Sequence, residues 1–285
     1  MDLVLRGGTV DDARDCGRIC FESFARLADD HGFPHDFPSM EAAAETIETL
    51  LTHPGFYSVV AELDGRIAGS NFLDERSPVV GVGPITVDPA AQNHGIGREL
   101  MRDVMNRAAE RQAPGIRLLQ SAYHNRSFAL YASLGFEFRE SLACLQGPAV
   151  NQAIDGYTVR PATDGDLPAC NELCRRVHGI DRGGELADAV KLGTARVVEH
   201  GGRPTGYATD LALFAHAVGE TTEDVKALIG AAHAFGGAGI LVPAGNSALL
   251  QWCLGNGLRV VQLMSLMTVG LYNAPAGAYL PSVLY

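Results

Sequence analysis

Residues Leu3 to Arg6 read as a short strand, and beyond Asp11-Asp12 apolar positions recur at helical spacing through Phe24, so the chain opens as strand then helix. The stretch from His31 to Met40 holds two phenylalanines, two prolines and two histidines and reads as a loop, after which Glu41 to Leu51 resumes helical spacing. Phe56 to Leu63 is rich in β-branched and aromatic residues, and Asp64-Gly65 then leads into Arg66 to Leu73, the signal of two strands joined by a tight hairpin. A fourth strand is predicted from about Val79 to Val87, a helix over Gly95 to Arg111 and a buried strand over Arg117 to Ala122. A last helix, Ser127 to Leu134, stops at Gly135. The order β-α-α-β-β-β-α-β-α-β is complete by about residue 146.

The pattern then restarts. Gly147 to Gly156 reads as a linker, and Arg6, Thr9, Asp12, Cys16 and Cys20 recur as Arg160, Thr163, Asp166, Cys170 and Cys174, each 154 positions later. Val60, Glu62, Gly65, Arg66 and Gly69 recur as Val197, Glu199, Gly202, Arg203 and Gly206, each 137 positions later. Two copies of one fold are expected, over residues 1–147 and 157–285.

Composition changes this picture little. At 47% hydrophobic and 19% charged residues, the chain is an ordinary globular one. Its net charge of −11 disfavours nucleic acid or an anionic membrane as partner and mildly favours a cationic substrate. With no cationic leader and no run of 18 apolar residues, a cytoplasmic protein is expected. Six cysteines without a C-x-x-C pair fit reduced thiols. Cys16/Cys20 and Cys170/Cys174 read as small buried residues on a helix, because fitting co-ligands for a metal are absent.

The strongest chemical signal is Pro84-Ile85-Thr86-Val87 followed by Asp88-Pro89-Ala90-Ala91-Gln92-Asn93-His94-Gly95-Ile96-Gly97-Arg98. A strand ends, a proline breaks pairing, and glycines open a helix whose free N–H groups and dipole favour an anion. The spacing is neither G-x-G-x-x-G nor a P-loop. Gln92-x-x-Gly95-x-Gly97 resembles the acetyl-CoA signature of the GCN5-related N-acetyltransferases. Asn125-Arg126-Ser127-Phe128-Ala129-Leu130-Tyr131-Ala132-Ser133-Leu134-Gly135-Phe136 resembles that family's second element, with Leu130, Tyr131, Gly135 and Phe136 in register and His124 where the family usually has Asn.

The resemblance implies an α/β (α+β) fold of two tandem copies, each a mixed, mostly antiparallel sheet flanked by helices. It implies acetyl-CoA as co-substrate, no metal, and cofactor contacts from Ile85, Thr86, Val87, Gln92, Asn93, His94, Gly95, Ile96, Gly97, Arg98, Asn125 and Phe128. Phe128, three residues before Tyr131, also reads as a core residue. The pantetheine arm would pair with backbone at Ile85 and Val87, where Gly83-Pro84 signals a bulge. Tyr131 would be the general acid that protonates the departing thiolate. The strand carries no carboxylate, so the base is open among Glu62, Asp74, Glu75 and His124. The His31, His35 and Asp36 loop would border the acceptor.

In the second half, Gly219-Glu220-Thr221-Thr222-Glu223-Asp224 replaces the glycine cradle, and its three carboxylates would repel a diphosphate. Trp252 or Cys253 stands where Tyr131 would be. A degenerate copy is expected, packing on the first or completing its pocket. The Tyr285 carboxylate is a further candidate for base or acceptor contact. The acceptor would be a small-molecule or peptide amine, and the fused copies can serve as a pseudo-dimer or pair further as a homodimer. A rival is a CoA-binding sensor that lacks transfer chemistry. A third reading, a transferase acting on protein N-termini or lysines, would need a more open cleft.

Overall fold

The computed structural model describes residues 2–284. Its first half follows the expected order: β1 (Leu3–Gly7), α1 (Ala13–Asp29), α2 (Met40–Thr52), β2 (Phe56–Leu63), β3 (Arg66–Asp74), short strands β4 (Val80–Val82) and β5 (Thr86–Val87), α3 (Ile96–Glu110), β6 (Gly115–Ser121), α4 (Asn125–Ser133) and β7 (Glu137–Gln146). The fourth strand, expected as one run, is broken between Val82 and Thr86. Pro84 within the break has no N–H to give a ladder. β4 bridges β3 and β6, whereas β5 pairs with β3 alone, so the sheet splays open between β5 and β6.

The second half repeats the series with β8 (Tyr157–Pro161), α5 (Leu167–His178), α6 (Gly183–Leu192), β9 (Arg196–His200), β10 (Arg203–Ala208), β11 (Ala217–Gly219), α7 (Thr222–Gly230), β12 (Ile240–Pro243), α8 (Ser247–Gly255), β13 (Arg259–Gly270) and β14 (Ala278–Leu280). No described helix is long and apolar enough to cross a membrane.

The repeated residues are one constellation built twice. Arg6 pairs with Asp12 and Glu62, each at 2.7 Å, and Arg160 pairs with Asp166 and Glu199 at the same distance. In both, the aspartate accepts from the backbone N–H and hydroxyl of the threonine three residues earlier, which fixes the start of the helix. The carboxyl of Asp12 is held down at about 2, first by the Arg6 hydrogen bond. Cys16, Cys20, Cys170 and Cys174 are buried on the inner faces of α1 and α5. Burial pushes the Cys16 thiol up to about 12, so it packs as an apolar residue.

The halves share their central strands. The larger sheet runs β1-β2-β3-β4-β6-β13-β7-β12, and the smaller runs β14-β11-β10-β9-β8. β13 of the second half inserts between β6 and β7 of the first, and β7 in turn lies between β13 and β12. Each copy therefore lends its last long strand to the other. Met267 on β13 is fully buried in the core that also holds Ile116, Leu118 and Tyr131 of the first half.

Candidate active site

A cavity of about 610 Å3 occupies the splay between β5 and β6. Asp88 donates its N–H to Ala68 O. By strand alternation Val87, one residue earlier, turns its N–H and C=O to the open edge. Ser23 Oγ and Gln92 Nε2 donate to Val87 O at 3.2 and 3.4 Å, so the Val87 N–H is the group left for a ligand. Ile85, Thr86 and Val87 line this wall.

At one end the chain turns through Gln92, Asn93, Gly95, Ile96, Gly97 and Arg98, all on the lining. Gly95 has φ +81°, and a Cβ there would meet no atom within 4 Å. The turn needs glycine for its backbone and faces open space. The first intrahelical bonds of α3 come from Arg98 and Glu99 to Gly95 O, so the preceding N–H groups are the orphan donors of a helix start. Arg126, unassigned from sequence although it lies within the second motif, donates to Gln92 Oε1 and Asn93 Oδ1 at 3.1 and 3.0 Å. With Arg98 it gives this end of an acidic chain a local positive charge.

Two buried polar atoms on the lining have no hydrogen-bond partner among the described residues: Thr86 Oγ1 on one wall and Gln120 Nε2 on the other. Buried orphans of this kind point to a ligand with donors and acceptors of its own. Gln120 lies outside both motifs, and its signal in the sequence is a lone amide directly after Leu118-Leu119. Its Oε1 accepts from Ser127 Oγ at 3.1 Å, which turns the NH2 away from α4.

Tyr131 lines the cavity, 7% exposed, and no described residue hydrogen-bonds its hydroxyl. Burial raises its pKa well above the ordinary phenol value, so it stays a proton donor at neutral pH. His94, Asn125 and Phe128 are outside the lining: His94 Nδ1 lies 3.1 Å from Ala91 O, and Phe128 is 36% exposed, so it is not a core residue either. His124 occupies the lining in place of Asn125.

Among the four residues considered as base, Glu62 pairs with Arg6, Asp74 with Arg76, and Glu75 with Arg107 and Arg111, all off the lining. His124 remains, and burial, with help from Arg126 and His31, lowers its pKa and keeps it neutral. Asp36, from the loop between α1 and α2, lines the cavity as well, whereas His31 and His35 do not. The second half contributes Leu213, Phe214, Gln262, Met264, Val283 and Leu284. The Tyr285 carboxylate lies outside the described residues.

The equivalent slot in the second half is filled. β14 pairs antiparallel with β11, Val218 opposite Tyr279, and packs its Ala278 and Leu280 into the core with Ile240 and Val242 of β12. The fit is close, since a Cβ on Gly277 would lie 2.5 Å from Gly219 O. The start of α7 is closed too: Asp224 accepts from the N–H and hydroxyl of Thr221 at 2.8 and 2.7 Å. Glu220 is bound to Arg203 and Arg176.

Residues 22–136 match the profile of the Acetyltransferase (GNAT) family. Curated protein sequences contain no match. Along the whole length the fold is similar to a Pyrococcus horikoshii protein described as a candidate acetyltransferase (18% identity, 97% of this chain and 94% of that one, TM-score 0.74). It is also similar to a GCN5-related N-acetyltransferase of Sphaerobacter thermophilus (15%, 95% and 96%, 0.62) and to a tandem GNAT protein from the clavulanic acid biosynthesis pathway (14%, 94% and 98%, 0.58). The match to the acetyltransferase (GNAT) profile thus covers residues 22–136, and along its whole length the chain shares its fold with a tandem GNAT protein.

Proposed function

We propose that this protein is an acetyl-CoA-dependent N-acetyltransferase that acetylates a primary amine of a small molecule or peptide by direct attack. The observation that carries this reading is one continuous cavity with the Gly95 turn at one end and the buried Tyr131 along its wall. Acetyl-CoA, when bound, supplies the acetyl thioester. The turn's N–H groups with Arg98 and Arg126 suit a diphosphate, and Val87 N–H, Thr86 Oγ1 and Gln120 Nε2 suit the amides of the pantetheine arm.

In the reaction the amine nitrogen bonds to the acetyl carbon, the carbon–sulfur bond breaks, the amine loses a proton to a base and the thiolate gains one. Tyr131, held protonated by burial, is suited to give that proton. The neutral His124 is suited to take the other, directly or through water. A CoA-binding sensor would have no use for a buried phenol and a neutral imidazole on one lining, so transfer is the reading these residues favour. The test is free-thiol release from acetyl-CoA across a panel of amines. Release that requires the amine supports transfer, and binding of acetyl-CoA without release on any amine refutes it.

A further inference from the structure

We propose that the acceptor is a primary amine carried on an apolar body, which enters as an ammonium paired with Asp36 in a subsite that both halves of the chain build, gives one proton to water and then attacks as the neutral amine. This deepens the transferase reading and rests on it. Asp36 stands on the cavity lining, half-buried, and among the described residues no Arg or Lys forms an ion pair with it, while the neighbouring His35 is held by Asp29 at 2.8 Å. Gln262 Nε2, on the exchanged strand β13, donates to Asp36 Oδ1 at 3.4 Å. Tyr123 O–H donates to Gln262 Oε1 at 3.0 Å, which fixes the amide with its NH2 toward the carboxylate. One carboxylate oxygen is thereby placed, and the other has no hydrogen bond to a described residue. A carboxylate taken partly out of water without a close Arg or Lys is costly, and a bound ammonium supplies the partner.

Around this group the walls are apolar and come from the second half. Phe214, 38% exposed on the lining, lies against Phe37 with ring centroids 6.4 Å apart. Leu213 and Met264 share a core cluster with Val283, and Val283 N–H bonds to Leu213 O at 2.7 Å, so the C-terminal segment closes this side. An amine with an alkyl or aryl body would cover Phe214. An α-amino acid would bring a carboxylate with no strong partner: Arg98 and Arg126 belong to the diphosphate end of the cavity, His124 is held neutral, and Arg26 on the lining is exposed, where an ion pair contributes little. A polyamine's second ammonium would have Asp30 on the same lining, but Asp30 is exposed, where an ion pair contributes little.

The test measures kcat and KM for phenylethylamine and hexylamine against L-phenylalanine, spermidine and a lysyl peptide, with acetyl-CoA affinity followed by calorimetry. The two apolar amines are expected to exceed the others by about tenfold or more in kcat/KM. D36N is expected to raise KM for phenylethylamine by about tenfold or more with acetyl-CoA affinity unchanged, and D36E to recover part of the loss. Gln262→Ala, which frees the bond that orients Asp36, should raise that KM while kcat holds. Equal use of all five acceptors, an unchanged KM in D36N, or loss of acetyl-CoA binding in D36N would overturn the acceptor assignment and leave amine transfer standing. Thiol release with no amine at all would overturn the transferase reading, and this assignment with it.

Discussion

Truncating Met267 to alanine tests whether the two halves fold as one. The side chain is fully buried, belongs to β13 of the second half, and packs in the first-half core beside Ile116, Leu118 and Tyr131. Removing a buried methionine side chain down to Cβ costs about 2–5 kcal/mol, through lost burial and the cavity left behind. At roughly 2–4 °C per kcal/mol for a chain of this size class, a loss of about 3 kcal/mol lowers the melting temperature by about 6–12 °C. The chain has a single tryptophan, Trp252, on α8 of the second half, so its fluorescence reports that half while far-UV circular dichroism reports both. Because β7 and β13 are exchanged, the two signals should melt together in the wild type and shift together in M267A. A Trp252 transition that stays in place while the dichroism splits into two steps would refute the shared fold.

Three further outcomes follow from the site and the repeated ion pairs. Gly95→Val forces a β-branched residue to φ near +81° at a cost of about 1–3 kcal/mol and fills the space in front of the helix start, so acetyl-CoA should bind about tenfold or more weakly while the protein stays folded; unchanged affinity in calorimetry would remove the turn from the cofactor site. Calorimetry should also give one acetyl-CoA per chain, because β14 fills the second slot, and two would contradict that closure. Asp12 is held at about 2, so its pairing with Arg6 contributes stability above the ordinary carboxylate pKa of about 3.9, which is lost as pH falls through about 2. In urea titrations the stability gap between wild type and Arg6→Ala should therefore narrow from pH 4 down to pH 2, and a gap that is constant over this range would deny the pair its role.

What could be read from the sequence was whatever local chemistry decides. Apolar spacing located the elements of the first half, and the recurrence of Arg6, Asp12 and Glu62 as Arg160, Asp166 and Glu199 marked the two copies. The structure shows why these residues recur: each set ties a first strand, a second strand and a helix start together. Strand exchange was not legible, since a mostly apolar run such as Arg259 to Gly270 fits beside either half and only long-range pairing chooses between them. For the same reason Gln262, Phe214 and Val283 could not be connected to a cavity whose motifs lie far earlier in the chain. His94 and Phe128 were included because they stand inside motifs, yet a motif fixes the backbone path and not which side chains face inward. Asp36 stands near the acceptor by its loop, but that no Arg or Lys among the described residues pairs with it appears only once the fold surrounds it.

The most direct measurement is steady-state acetyl-CoA turnover, read as free thiol, for wild type and Tyr131→Phe with an accepted amine, beside acetyl-CoA affinity for both. With Tyr131 as the proton donor, kcat should fall by about 10²–10⁴-fold in the variant while affinity holds. A variant that turns over at the wild-type rate, or a wild type that releases thiol no faster when amine is added, would contradict the assignment of this cavity to amine acetylation.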